Sequence, residues 1–164
     1  MNPSLSKKDE LSIVLCGEAG QGVQTVEFLL TALFKQCGYN FFATKEYMSR
    51  VRGGSNSTSI RVSSRRVDAY SEHIDILFPL AAAALDHMKD RIGPDTLVIG
   101  DRKVLSPAGG DPSPGIVDVP FGAMAAEIGG DIYINTIAVG IVAGLLDLDR
   151  GITDRFLARR FGSK

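Results

Sequence analysis

Apolar positions along this chain switch between short continuous runs and a spacing of three and four residues. Residues 11–16 (LSIVLC) form a short apolar run that leads at once into Gly17-Glu18-Ala19-Gly20-Gln21-Gly22. Between 23 and 37, Val26, Leu29, Leu30, Leu33 and Phe34 recur on one face of a helix. Gly38 follows where a left-handed cap residue is expected. Residues 40–44 read as a second strand. Strand, glycine turn, helix and strand together predict a right-handed βαβ unit with parallel strands.

The middle of the chain changes character. Residues 46–56 are polar and glycine-bearing, and 57–62 alternate as a half-exposed strand would. A turn at 63–66 leaves 67–70 as a candidate hairpin partner. Residues 74–78 (IDILF) read as a strand, 81–92 as a helix ended by Gly93-Pro94, and 96–99 as another strand. Residues 104–115 hold three prolines and three glycines and are expected to be a surface loop. A last strand at 116–119 and a short helix at 121–128 follow. Asn135 is placed to N-cap a helix over 136–146, in which Gly140 and Gly144 leave a smooth stripe for close packing. Residues 153–161 complete the pattern as an amphipathic helix. The alternation predicts an α/β fold: three layers, α/β/α, around a mainly parallel but mixed sheet. Residues 11–164 form one domain behind a polar tail at 1–10.

Composition narrows the chemistry. The chain has 164 residues, 45% of them hydrophobic and 23% charged, which suits a single domain with its own core. A formal net charge of −1 gives no overall field for nucleic acid. Cys16 and Cys37 are the two cysteines, and without a C-x-x-C motif the chain cannot by itself hold a four-thiolate zinc or iron–sulfur site. Both are expected to act as small hydrophobes in a reducing compartment. His73 and His87 are too scattered to ligate a metal with them. The polar N-terminus lacks a signal-peptide core, and the longest uncharged stretch, 132–146, falls short of the roughly 18 residues a membrane span requires. These features point to a cytoplasmic protein with no membrane or nucleic-acid partner.

Two segments carry candidate chemistry. Gly17, Gly20 and Gly22, placed after a strand and opening a helix, expose backbone N–H groups beside the positive end of a helix dipole, a cradle for phosphate or carboxylate. The spacing is neither the G-x-G-x-x-G dinucleotide fingerprint nor a P-loop. A tight turn required only for packing accounts for it equally well. Glu18 and Gln21 supply side chains able to orient a ligand. The second segment holds Glu46, Arg50, Arg52, Gly53, Gly54 and Asn56. Its guanidinium groups suit bidentate binding of carboxylate or phosphate, and its glycines allow close approach. If the strand at 40–44 runs parallel to that at 11–16, both segments share one edge of the sheet. A solvated loop or a contact with a partner's carboxylates remains open. Elsewhere, Asp75 inside an apolar strand needs a partner and is read as bonding nearby backbone. Glu27 and Lys35 are expected to face solvent, and His87 to be at the surface or satisfied.

Taken together, 17–22 (GEAGQG), 43–47 (ATKEY) and 49–56 (SRVRGGSN) resemble the γ subunit or γ domain of 2-oxoacid:ferredoxin oxidoreductases, the enzymes of pyruvate, 2-ketoisovalerate, indolepyruvate and 2-oxoglutarate. The blocks at 71–77, 97–101 and 135–140 are similar to later ones in that family. Many members have Gly where Ala19 stands. The S-R-x-R-G-G-x-N form is similar to γ domains fused ahead of an α domain in one long subunit, which would make Lys164 a boundary inside a longer protein. The resemblance implies an accessory component of a thiamine-diphosphate enzyme that decarboxylates a 2-oxo acid, releases an acyl-CoA and passes electrons through iron–sulfur clusters to ferredoxin. Thiamine diphosphate, Mg and the clusters would then sit on partner α and β subunits or domains, with CoA as co-substrate and no activity in this chain alone. Carried over by position, Gly17, Gly20, Gln21 and Gly22 form a backbone cradle, and Arg50 and Arg52 meet anionic groups or neighbouring domains. The alternatives are a nucleotide-binding module built on the glycine loop and a purely structural interface domain.

Overall fold

The computed structural model describes residues 9–18, 20–47, 55–106 and 116–162. A six-stranded sheet in the order β2-β3-β1-β4-β5-β6 forms its middle layer. β1 (Glu10–Glu18) is a central strand buried on both faces, as its unbroken apolar run requires. It pairs in parallel with β4 (Ile76–Pro79), which pairs with β5 (Leu97–Gly100), which in turn pairs with β6 (Ile116–Asp118). On its other side β1 lies antiparallel to β3 (Ser55–Ser63), itself antiparallel to the edge strand β2 (Asn40–Tyr47).

The three-layer, mixed-sheet expectation therefore holds, with a difference inside its first unit. β1 and β2 run in the same direction, but β3 is inserted between them, so the βαβ unit is split. This also overturns the half-exposed reading of 57–62. Ser57, Thr58 and Ser59 are buried, because β3 has a paired strand on each side and helices over its faces. Small hydroxyl side chains fit that space and find partners: Ser57 Oγ donates to Glu46 Oε2 at 3.2 Å, and Ser63 Oγ to the Asp9 carbonyl at 3.0 Å. Among the described residues no strand forms at 67–70; the polar crossing there instead offers the Ala69 carbonyl to Arg61.

Odd-numbered residues of β1 point to the larger core, made with α1 (Val23–Gln36), α4 (Phe121–Ile128), α5 (Ile134–Leu145) and α6 (Arg150–Phe161). Val14 and Cys16 point to a smaller core under α2 (Ala82–Met88) and the 3-10 turn Lys89–Arg91. The 81–92 helix is thus shorter than expected and tightens at its end. A four-residue helix, α3 (Arg102–Leu105), starts the segment expected to be a loop; residues 107–115 lie outside the described residues. Glu10 belongs to the sheet rather than to a tail, the Asp9 carbonyl before it accepts from Ser63 Oγ and the Ser64 N–H, and 1–8 lie outside the described residues.

Two further differences have clear causes. Asn135 does not cap α5. A 3-10 turn, Asp131–Tyr133, carries the chain into the helix, so Asn135 stands inside the first turn and is free to contact another element. Gly140 and Gly144 are exposed, with nothing within 4 Å of a Cβ built on either, so no element of the described chain packs on that stripe. Asp75 is buried as a strand-start residue, its carboxylate accepting the Ser12 N–H at 2.8 Å and meeting His73 Nε2 at 3.3 Å.

Candidate functional site

α1 leaves the end of β1 toward one face of the sheet, and α2 leaves the end of the neighbouring parallel strand β4 toward the other. Divergent exits from adjacent parallel strands open a crevice beyond their carboxyl ends, the usual ligand position in open α/β sheets. A cavity of about 580 Å³ lies there. Its walls are Pro79 and Leu80 after β4, Asp101 and Val104 after β5, Phe121 and Gly122 after β6, the Asp131–Asn135 approach to α5, and Gly20 and Gln21 of the glycine loop.

The loop itself is held by internal contacts. Gln21 Oε1 accepts the Glu18 N–H at 2.7 Å, which removes one amide from any anion cradle. A Cβ on Gly17 would come within 2.9 Å of the Leu80 side chain, so this glycine admits β4's exit. Gly22, with φ +84°, caps α1 in the left-handed region, and the Asn135 amide lies directly over it. Gly20 differs from both: nothing lies within 4 Å of its built Cβ, and it lines the main cavity and a second one of about 330 Å³. Of the three glycines, two serve packing and one faces open space.

The second cavity lies between the start of α1 and the β2–β3 hairpin, lined by Glu18, Gln24, Tyr47, Asn56 and Thr58 among others. Asn56 pairs with Gly17 on one side and Tyr47 on the other, and Gln24 Nε2 donates to the Tyr47 hydroxyl at 3.3 Å. Residues 47 and 55, which bracket the arginine–glycine segment, therefore stand at the carboxyl edge beside the glycine loop. Arg50, Arg52, Gly53 and Gly54 lie outside the described residues. Glu46 lines neither cavity. It accepts from Ser57 on the opposite face, where its charge adds to burial in pushing the Cys16 thiol up to about 11. Burial also raises Cys37, helped by Asp149.

Electrostatically, the described mouth is acidic. Glu18, Asp101 and Asp131 line the two cavities, and no Lys or Arg does so among the described residues. Asp101 Oδ1 also accepts the Lys103 N–H at the start of α3. Leu80, Phe121, Ile132 and Asn135 went unnoticed as lining residues in the sequence. Only strand order brings them together, and no local pattern marks them. Glu27, expected in solvent, is ion-paired to Lys45 at 2.9 Å with only 13% of its side chain exposed, because α1 lies over β2. His87, expected at the surface or satisfied, is half-buried, and its Nε2 has no hydrogen-bond partner among the described residues. Among the described residues, no group of three His, Cys, Asp or Glu side chains is placed to hold a metal ion, and no single helix is long and apolar enough to cross a membrane.

The family model for pyruvate ferredoxin/flavodoxin oxidoreductase matches residues 12–164. The chain belongs to that family. Within it, the chain is 31% identical over 81 residues to a 2-oxoacid:ferredoxin oxidoreductase subunit alpha from Sulfolobus sp, a match covering 49% of this chain and 13% of that one. A subunit alpha of 2-oxoacid:ferredoxin oxidoreductase 1 from Sulfurisphaera tokodaii is 30% identical over 81 residues, with the same shares. The chain thus matches only a small part of these longer relatives. Among solved structures, 2-oxoglutarate:ferredoxin oxidoreductase from Magnetococcus marinus, with 2-oxoglutarate, coenzyme A and succinyl-CoA bound, aligns with a TM-score of 0.77 at 22% identity, covering 96% of this chain and 28% of that one. The γ subunit of keto/oxoacid ferredoxin oxidoreductase from Geobacter sulfurreducens aligns with a TM-score of 0.69 at 18% identity, covering 92% and 86%. A pyruvate oxidoreductase subunit from Thermotoga maritima gives 0.69 at 20% identity, covering 94% and 86%. The γ-type fold of this family is therefore the fold of this chain.

Proposed function

We propose that this chain is the γ-type component of a 2-oxoacid:ferredoxin oxidoreductase, contributing to oxidative decarboxylation of a 2-oxo acid to an acyl-CoA only when joined to α- and β-type partners. The observation that carries this reading is the family match over residues 12–164. Thiamine diphosphate, Mg and iron–sulfur clusters belong, in this reading, to the partners, and ferredoxin is the electron acceptor of the assembled complex.

The chain's own part is assembly and contact with a substrate at the carboxyl edge. CoA is the substrate its cavity suits best, and through one portion only. Walls of Leu80, Val104, Phe121 and Ile132 with the amides of Gln21 and Asn135 favour a neutral, amide-bearing arm. The carboxylates of Asp101 and Asp131 disfavour phosphates there. Anionic groups of CoA would then fall to Arg50 and Arg52 or to a partner.

Reconstitution tests this. The chain alone should show no CoA-dependent reduction of ferredoxin by a 2-oxo acid, and should restore it when added to purified α and β components. Turnover by the chain alone overturns the reading. Calorimetry with NAD, FAD and CoA addresses the nucleotide-module alternative, which tight NAD binding without CoA binding would favour. If the domain is a structural interface only, Arg50→Ala and Arg52→Ala alter assembly and leave CoA kinetics intact.

A further inference from the structure

α6 carries four arginines in twelve residues, within a chain of formal net charge −1. Arg150 is paired with Asp154 at 3.7 Å, whereas no carboxylate among the described residues pairs with Arg155, Arg159 or Arg160. All three are exposed. Arg155 and Arg159 stand four residues apart, the spacing at which like charges on a helix repel. The helix dipole accounts for Arg159 and Arg160 in the last turn, but not for Arg155. Arg160 lies over the ring of Phe28 at 5.5 Å from its centroid, and that ring is 55% exposed on α1. An exposed aromatic ring with one unpaired arginine over it, and two more unpaired arginines on the same helix, has the composition of a protein interface rather than of idle surface.

We infer that the Arg155–Arg159–Arg160 ridge of α6, with Phe28, is a docking surface for a carboxylate-rich face of a companion polypeptide of the oxidoreductase complex. This rests on the reading above. Phe28 lies about one helical turn from Gln24, which holds Tyr47, so the Arg160 end of α6 is the end nearer the second cavity. A partner seated on it would border the substrate edge without filling it. Carboxylates brought by a partner would offset the like charge of Arg155 and Arg159.

Charge reversal separates docking from a structural role, because the two give opposite signs. Arg155→Glu replaces a repelling pair with a Glu–Arg pair at four residues in the favourable order, so the isolated domain should melt about 1 °C or more higher. The same variant, combined with Arg159→Glu for the binding assay, should weaken assembly with purified α and β components about tenfold at low salt. That difference should shrink as NaCl screens the contact. Equal affinity of wild type and double variant at every salt concentration overturns the inference and leaves the proposed γ-type role standing. Failure of the wild-type chain to assemble at all counts against the proposed γ-type role instead. Poly-L-glutamate then probes the ridge: binding by the wild type that the double variant loses supports the inference, and equal binding or none overturns it. Binding of duplex DNA in preference to poly-L-glutamate also overturns it.

Discussion

Gly22→Ala tests the link between the glycine loop and α5. At φ +84° an L-residue sits in the left-handed region, at a cost of about 1–2 kcal/mol. The new methyl would also stand 2.7 Å from Asn135 Oδ1 and 2.8 Å from its Cγ, and closer still to Nδ2. Asn135 must therefore turn away, and an off-rotamer side chain costs about 0.5–1.5 kcal/mol. Against this, alanine restricts the unfolded chain and returns about 0.4–1 kcal/mol. The net loss is about 0.5–3 kcal/mol, which for a domain of this size lowers Tm by roughly 1–12 °C. Urea unfolding at constant m-value measures it. In a double-mutant cycle with Asn135→Ala, the collision disappears and the backbone cost stays, giving a coupling of about 0.5–1.5 kcal/mol. Strict additivity, or a Gly22→Ala protein within about 0.3 kcal/mol of wild type, refutes the reasoning.

Other expectations are more local. Asp75→Ala strips the buried Ser12 N–H of its acceptor and should cost about 1–3 kcal/mol in urea unfolding; Asp75→Asn keeps an acceptor and should cost less. The Cys16 thiol, raised from 9.0 to about 11, makes stability fall with alkali. Below about pH 9 the thiol is protonated in both states and has no effect. Between about pH 9 and 11 it ionises only in the unfolded chain, removing about 1.4 kcal/mol per pH unit. Cys16→Ala should remove its share of that slope and leave the smaller one from Cys37, and an unchanged slope would exclude Cys16 as a source. A thiol reagent at neutral pH should modify half-buried Cys37 before buried Cys16; the reverse order contradicts the packing.

Some of this architecture could be read from the residues because the signal was local. The run LSIVLC reads as a short apolar strand, which the structure buries on both faces, and the periodicity through Phe34 marks α1's buried side. The 121–128 helix appears with those bounds. β3 was misjudged because serine and threonine read as polar surface, whereas its burial comes from two neighbouring strands that no local window contains. Asn135 reads as a cap in isolation, yet its place beside Gly22 depends on how α5 returns across the sheet. The site divides in the same way. The glycine loop announced itself by spacing, while Leu80, Val104, Phe121 and Ile132 become neighbours only through strand order.

The insertion of β3 also dictates when the protein can consolidate during synthesis. Up to residue 47 the chain delivers β1, α1 and β2 and, among the described residues, no two strands that pair with each other. Only when residue 63 has cleared the ribosome can the local β2–β3 hairpin close and capture β1 through a ladder running from Glu10↔Ser63 to Glu18↔Ser55. Hairpins form in microseconds, whereas the long-range capture is slower. A nascent chain stalled between these points would display β1's apolar edge, the interval in which chaperone engagement matters most for this fold.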